Sequence, residues 1–228
     1  RQLSQMSKPH PNKAGPIVNN PASLKNKTII ITGAAQGVGK ALMDCAIEMG
    51  ACVSAVDINE SALNESLDQY TNSQAAGFVG DITSETFMES VVNGTVEAFG
   101  DINGLLNNAG IVRASMITDM SREQWQAVID VNLTGAFICL QAVGRFLVEK
   151  AKNGNPNPGS IVNVSSEAGR RGTVGQINYG AAKSGVLGLT MSAAREWSRY
   201  NINVNSVCYG LVETAMTETI RQEKFRDR

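Results

Sequence analysis

The chain has 228 residues, 43% hydrophobic and 18% charged, enough to build a substantial core. Its 20 basic and 21 acidic side chains leave a net charge of −1, so no basic field is available to hold nucleic acid or an anionic lipid surface. The single histidine, His10, lies in a leader rich in Pro, Asn and Lys, which excludes a histidine-dependent triad and argues against any metal site.

Four scattered cysteines, Cys45, Cys52, Cys139 and Cys208, form no C-x-x-C pair and sit in apolar stretches. They read as reduced core cysteines of a cytoplasmic protein. Apolar runs are about strand length, short of the roughly 20 residues a spanning helix needs, so no membrane is expected. Residues 1–26 carry four prolines and no periodicity, and are read as a flexible arm.

From residue 27 to 228 the pattern is that of one domain. Short β-branched runs (28–32, 52–56, 77–81, 104–108, 160–166 and 202–207) alternate with amphipathic stretches (37–49, 59–70, 84–99, 121–150 and 176–200). Strands apolar on consecutive residues, each followed by a helix, predict an α/β fold: a doubly wound parallel sheet covered on both faces.

The first strand runs into Thr32-Gly33-Ala34-Ala35-Gln36-Gly37-Val38-Gly39. Glycines and small residues there let the backbone approach a pyrophosphate, and the next helix N-terminus offers unpaired N–H groups. An ordinary glycine-rich turn would look the same in isolation; its place in the first βα unit favours cofactor binding. Asp57 ends the second strand, where a dinucleotide fold places the acid that reads the ribose. Ile58 follows, and Gln36 rather than a basic residue occupies the glycine loop, so NAD(H) is favoured and NADP(H) stays open. The competing reading of Asp57 is a helix N-cap.

Tyr179 and Lys183 stand four apart at the start of a predicted helix and share one face. A phenol normally ionises near pH 10, and a neighbouring ammonium lowers that value. Ser166 ends the preceding strand, where its hydroxyl can meet a substrate carbonyl oxygen.

Together, Thr-Gly-x-x-x-Gly-x-Gly at 32–39, Asn107-Asn108-Ala109-Gly110, Asn132, and Ser166 followed by Tyr179-x-x-x-Lys183 resemble the short-chain dehydrogenase/reductase family. Local wording (NNAGIVRASM, DVNLTGAF, GSIVNVSS) is most similar to its 3-oxoacyl-[acyl-carrier-protein] reductase branch. The resemblance implies a Rossmann-type sheet and hydride exchange between a nicotinamide cofactor and a carbonyl or secondary alcohol. It implies that Tyr179 moves the proton, Lys183 holds the nicotinamide ribose, Ser166 (rather than Ser165) orients substrate, and Asn132 anchors a relay water. It further implies that Asp81 and Ile82 meet the adenine, Asn108, Ala109 and Gly110 the adenosine side, and Val212 and Thr214 the nicotinamide amide. An acyl thioester substrate, a carrier-protein partner and a homotetramer follow from it as expectations. A dehydrogenase of a sugar, polyol or other small alcohol is the alternative, and a non-catalytic dinucleotide sensor a third reading.

Three departures stand out. Tyr209-Gly210 replaces the family's usual Pro-Gly, the glycine loop lacks the basic residue common in NADPH-preferring members, and the family's last helix and seventh strand would fall beyond Arg228. Arg170 and Arg171, with Arg145, Lys150, Lys152, Arg195 and Arg199, suggest either a basic patch for an acidic carrier or, more simply, solvated helix faces. Trp125 and Trp197 read as core or interface packing.

Overall fold

A computed structural model describes residues 22–213. Six parallel strands run β1 (Thr28–Thr32), β2 (Cys52–Asp57), β3 (Ala75–Val79), β4 (Gly104–Asn107), β5 (Ser160–Ser166) and β6 (Asn203–Tyr209). Their order across the sheet is β3-β2-β1-β4-β5-β6. The chain reverses its direction of winding between β1 and β4, and in such sheets ligands enter the crevice at the carboxyl ends of those strands.

The sheet is buried on both faces because its strands are apolar on both. Consecutive Ile30 and Ile31 are each fully buried, one in each of two separate core clusters. One cluster gathers Met43, Ala46 and Ile47 of α1 (Gly37–Glu48) and Leu63 of α2 (Glu60–Leu67). The other gathers Met88 and Val91 of α3 (Glu85–Phe99) and Cys139, Val143 and Leu147 of α5 (Ala136–Lys152). Trp197 packs against that second cluster, seated over Gly144, where a Cβ would lie 2.2 Å from the ring.

Helix ends follow local chemistry. Ser84 caps α3 through the Phe87 N–H, and Gly100 ends it at φ 79°. Ser121 and Gln124 form a reciprocal capping box on α4 (Arg122–Ile129). The helix predicted over 121–150 divides into α4, a π-helical turn at Asp130–Gly135 and α5. This continuous run, Arg122–Lys152, is long and apolar enough to cross a bilayer by length and composition, contrary to the expectation from apolar run length. Half of its most apolar window is buried within the fold. Among the described residues, two further α-helices follow, α6 (Glu167–Arg171) and α7 (Ile177–Trp197).

Two smaller expectations are corrected. β3 begins two residues before the predicted run, since Ala75 and Ala76 pair with Val53 and Ser54. Of the cysteines only Cys139 is buried, with burial pushing its thiol up to about 12; Cys45 is exposed, and Cys52 and Cys208 are half-buried.

Candidate active site

The carboxyl ends of the strands open into a cleft of about 600 Å³. It is lined by Gly33, Gln36, Gly37, Val38, Gly39, Asp57, Ile58, Asp81, Ile82, Asn108, Ala109, Gly110, Ser166, Tyr179, Lys183 and Val212. All but two of the residues singled out from the sequence therefore share one wall-to-wall groove. Thr214 lies outside the described residues. Asn132 is fully buried beside the groove, its side chain accepting from the Ile111 N–H (2.7 Å) and donating to the Ile111 carbonyl (2.9 Å).

The glycine turn is built for close backbone approach. Gly33 takes φ +68°, and a Cβ there would lie 2.9 Å from Ala109 Cα; a Cβ on Gly39 would lie 1.8 Å from the Gly33 carbonyl oxygen. Asn108 locks the same turn by donating from Nδ2 to the Thr32 and Gly33 carbonyls. Gln36, the N-cap of α1, makes no side-chain capping bond. The first N–H groups of this 12-residue helix thus lack a side-chain cap at the groove, where a pyrophosphate fits both the dipole and the free donors. A Gly39→Ala substitution is expected to weaken NADH binding by at least about tenfold, because the turn must open to admit the methyl group. Fluorescence titration with NADH checks this.

Asp57 is not the cap of α2; Asn59 is, accepting from the Ala62 N–H. The Asp57 carboxylate instead accepts from the Ala35 N–H (3.0 Å) and the Asn59 N–H (3.0 Å), tying the glycine turn to the end of β2. Asp81 is exposed and accepts from the Thr83 N–H. Ile82 is buried, filling the space left by Gly135.

At the other end of the groove, Lys183 is only 3% exposed. Its Nζ donates to the Val164 carbonyl (2.8 Å) and lies 5.7 Å from the centroid of the Tyr179 ring. Burial lowers the Lys183 pKa to about 8. The i, i+4 spacing predicts that Lys183 pulls the Tyr179 phenol below its usual value. Instead burial raises it, with the neighbouring Ser166 hydroxyl acting in the opposite direction and more weakly. At neutral pH the phenol therefore keeps its proton, the state of a general acid. Ser165 spends its hydroxyl on the Lys183 carbonyl (2.7 Å), whereas the Ser166 oxygen accepts from the Ala168 N–H at the start of α6.

Sequence reasoning passed over Ile111, Arg113, Val131 and Asn59, which also line the groove. Arg113 carried a signal, being a lone cation in the loop after β4, but nothing local shows that this loop folds over the site. Tyr209 and Gly210, noted only as departures from the family pattern, line it too. Arg170 and Arg171 both pair with Glu167 on α6, so one carboxylate offsets part of their charge on an exposed helix face.

These features, a glycine cradle at the β1–β4 crevice facing a serine, a tyrosine and a lysine, define a nicotinamide-dependent oxidoreductase of the dinucleotide-binding class. A family model described as short chain dehydrogenase matches residues 27–224, and the chain belongs to that short-chain dehydrogenase/reductase family, whose members act on CH–OH and C=O groups. It is 40% identical over 206 residues to a 3-oxoacyl-[acyl-carrier-protein] reductase of Thermotoga maritima, covering 90% of this chain and 81% of the relative. It is 36% identical over 202 residues to a (2S)-[(R)-hydroxy(phenyl)methyl]succinyl-CoA dehydrogenase subunit of Thauera aromatica, covering 88% and 79%. The crystal structure of levodione reductase superimposes with a TM-score of 0.80 at 32% identity, over 89% of this chain and 80% of that one.

Proposed function

We propose that the protein reduces the 3-oxo group of an acyl thioester with NADH, and that Tyr179 delivers the proton. The observation that carries the role of Tyr179 is its place in the groove beside Ser166 and Lys183, where the phenol keeps its proton at neutral pH and is suited to protonating a developing alkoxide. The thioester class is supported by relatives named for acyl-carrier-protein and coenzyme A substrates.

The hydride is the nicotinamide's contribution; the protein supplies position and charge. Ser166 and Tyr179 flank the site of the carbonyl oxygen and donate hydrogen bonds to it as negative charge builds. Tyr179 then releases its proton to that oxygen. Lys183, cationic below about pH 8, steadies the phenolate left behind and donates to the cofactor ribose. Gly33, Gly37, Val38 and Gly39 receive the pyrophosphate, Asp57 and Ile58 the adenosine ribose, Asp81 and Ile82 the adenine, and Asn108 to Gly110 the span between. Val212 and Thr214 receive the nicotinamide amide, and Asn132 supports a relay water.

A cytoplasmic homotetramer is part of this reading, the assembly being supported by the open small residues Ala181 and Gly188 of α7 and by exposed Met191 and Phe137. A small-molecule ketone reductase is the second reading, favoured by the likeness to levodione reductase.

Initial rates of acetoacetyl-coenzyme A reduction with NADH and NADPH in parallel test the proposal. Turnover favouring NADH supports it; tight NADH binding with turnover only of cyclic or small ketones shifts the substrate to the second reading. The preference itself rests on Asp57. An Asp57→Asn substitution removes the repulsion of a 2′-phosphate and is expected to narrow the NADH-over-NADPH ratio of kcat/KM by roughly tenfold, about 1.4 kcal/mol. An unchanged ratio would remove Asp57 from cofactor selection.

A further inference from the structure

The loop after β4 forms one wall of the groove and contributes Ile111 and Arg113 to it. Two fully buried asparagines hold this loop from opposite sides. Asn132, in the π-helical turn, grips Ile111 through its N–H and carbonyl. Asn178, in the first turn of α7, donates from Nδ2 to the Arg113 carbonyl (2.9 Å) and to the Gln124 carbonyl of α4 (3.0 Å). Its Oδ1 accepts the N–H of the very next residue, Tyr179 (2.8 Å). A second tie runs parallel, from the Ser115 N–H to the Gly175 carbonyl just before α7.

The geometry points to Asn178 as a positioning residue that locks the substrate-side wall of the groove to the helix turn carrying Tyr179. This rests on Tyr179 being the proton-transfer residue. A carboxamide is suited to the task because it offers two donors and an acceptor in one plane. Here both N–H groups and the oxygen are used, so a buried polar group that would otherwise cost stability is fully satisfied. One end of the amide fixes where the loop stands, and the other caps one of the orphan N–H groups in the first turn of α7. An apolar side chain of the same size would fill the space and make none of these bonds. With the clamp gone, residues 111–115 keep their ties at Ile111 and Ser115 but lose the one at Arg113, and the Tyr179 turn gains freedom to tilt towards water.

Two variants and a substrate-free readout decide the matter. The four tyrosines of the chain are followed by ring-13C NMR, the Tyr179 signal being assigned with Tyr179→Phe. In Asn178→Ala the loosened ring gains water, so its titration midpoint is expected to fall back towards 10 by at least about half a unit. The charged groups lining the same groove, Lys183, Arg113, Asp57 and Asp81, are unaltered by this change. Asn178→Asp keeps the shape and the acceptor for the Tyr179 N–H but loses both Nδ2 bonds, the one to the loop at Arg113 and the one to α4 at Gln124. It is expected to speed amide hydrogen exchange across residues 111–115 by about tenfold or more.

On acetoacetyl-coenzyme A with NADH, both variants are expected to lose kcat/KM, with KM rising as the wall moves and kcat falling in the alanine variant. An unchanged Tyr179 titration in Asn178→Ala, or unchanged loop exchange in Asn178→Asp, would overturn the inference. Should the alanine variant fail to fold, the aspartate variant alone decides it. Full turnover by Tyr179→Phe would sink the proton-transfer assignment itself, and a wild type inert on the thioester would sink the acyl reading; neither resembles the outcomes for Asn178.

Discussion

Tyr179→Phe is expected to cut turnover by about 10² to 10⁴-fold, the usual worth of a positioned general acid, while leaving the fold and NADH affinity intact. The ring keeps its packing in this change and loses only the hydroxyl beside Ser166. The pH dependence follows from the direction of the phenol's shift. Burial holds the proton on Tyr179 above its ordinary value of 10, so reduction needs no titration of the phenol at neutral pH; its rate should be flat from pH 6 to about 7 and fall from about pH 8 upward as Lys183 sheds its proton. Oxidation of the corresponding alcohol needs the phenolate, a minor form throughout that range, so its kcat/KM should climb with pH by up to about tenfold per unit. The Phe variant should lose both activities and with them the slope. Stopped-flow rates in each direction, on the acetoacetyl and 3-hydroxybutyryl thioesters, measure this. A Phe variant with wild-type rates would place the proton elsewhere.

The framework of this site was legible because its signals are local. Gly33, Gly37 and Gly39 announce themselves by spacing, and Tyr179 and Lys183 by the single helical turn between them. The alternation of apolar strand and amphipathic helix was enough to predict a doubly wound sheet, and the β3-β2-β1-β4-β5-β6 order bears that out. What stayed hidden depends on distance along the chain. Asn178 reaches back 65 residues to Arg113, and no pattern in the sequence pairs them. The π-helical turn at 130–135 is invisible for a related reason: Asp-Val-Asn-Leu-Thr-Gly continues the helical rhythm on either side, and the extra residue shows only in the backbone.

The sign of the Tyr179 shift was misjudged because proximity of a cation is readable from i, i+4 spacing whereas burial is not. Both Tyr179 and Lys183 lie deep in the groove, and desolvation by burial is the largest cause of each shift. The cysteines show the same limit: all four stand in apolar stretches, yet only Cys139 is buried. For Arg170 and Arg171 the simpler expectation, a solvated helix face, agrees with the structure. Arg170 and Arg171 look like a basic cluster in sequence, but a single helical turn places both against Glu167.

Lys183→Met is expected to abolish useful turnover and yet make the protein more stable at neutral pH. Lys183 is 3% exposed, and among the described residues its ammonium has one hydrogen-bond acceptor, the Val164 carbonyl, and no acidic partner within ion-pair distance. Its pKa falls from 10.5 to about 8 because the buried charge is not repaid by a counter-charge. Between about pH 8 and 10.5 the unfolded chain therefore binds the proton that the folded one has released, and stability rises with pH across that window. Below pH 8 both states carry the charge and the full cost of burying it is present. Methionine removes that cost at similar volume, a gain on the order of 2 kcal/mol at pH 7 after the lost bond to Val164 is set against it. For a chain of this size that corresponds to a melting temperature roughly 5 °C higher. Denaturant midpoints at pH 7 and pH 10 provide the check. The wild type should gain on the variant as the pH rises and the lysine sheds its proton, so the difference should shrink. A variant less stable than wild type at pH 7 would show that Lys183 is held by more than the Val164 carbonyl. A variant more stable and inactive would mean that this fold maintains an unpaired cation in its core for what the charge does to Tyr179 and to the cofactor, at the expense of the stability the same position could otherwise supply.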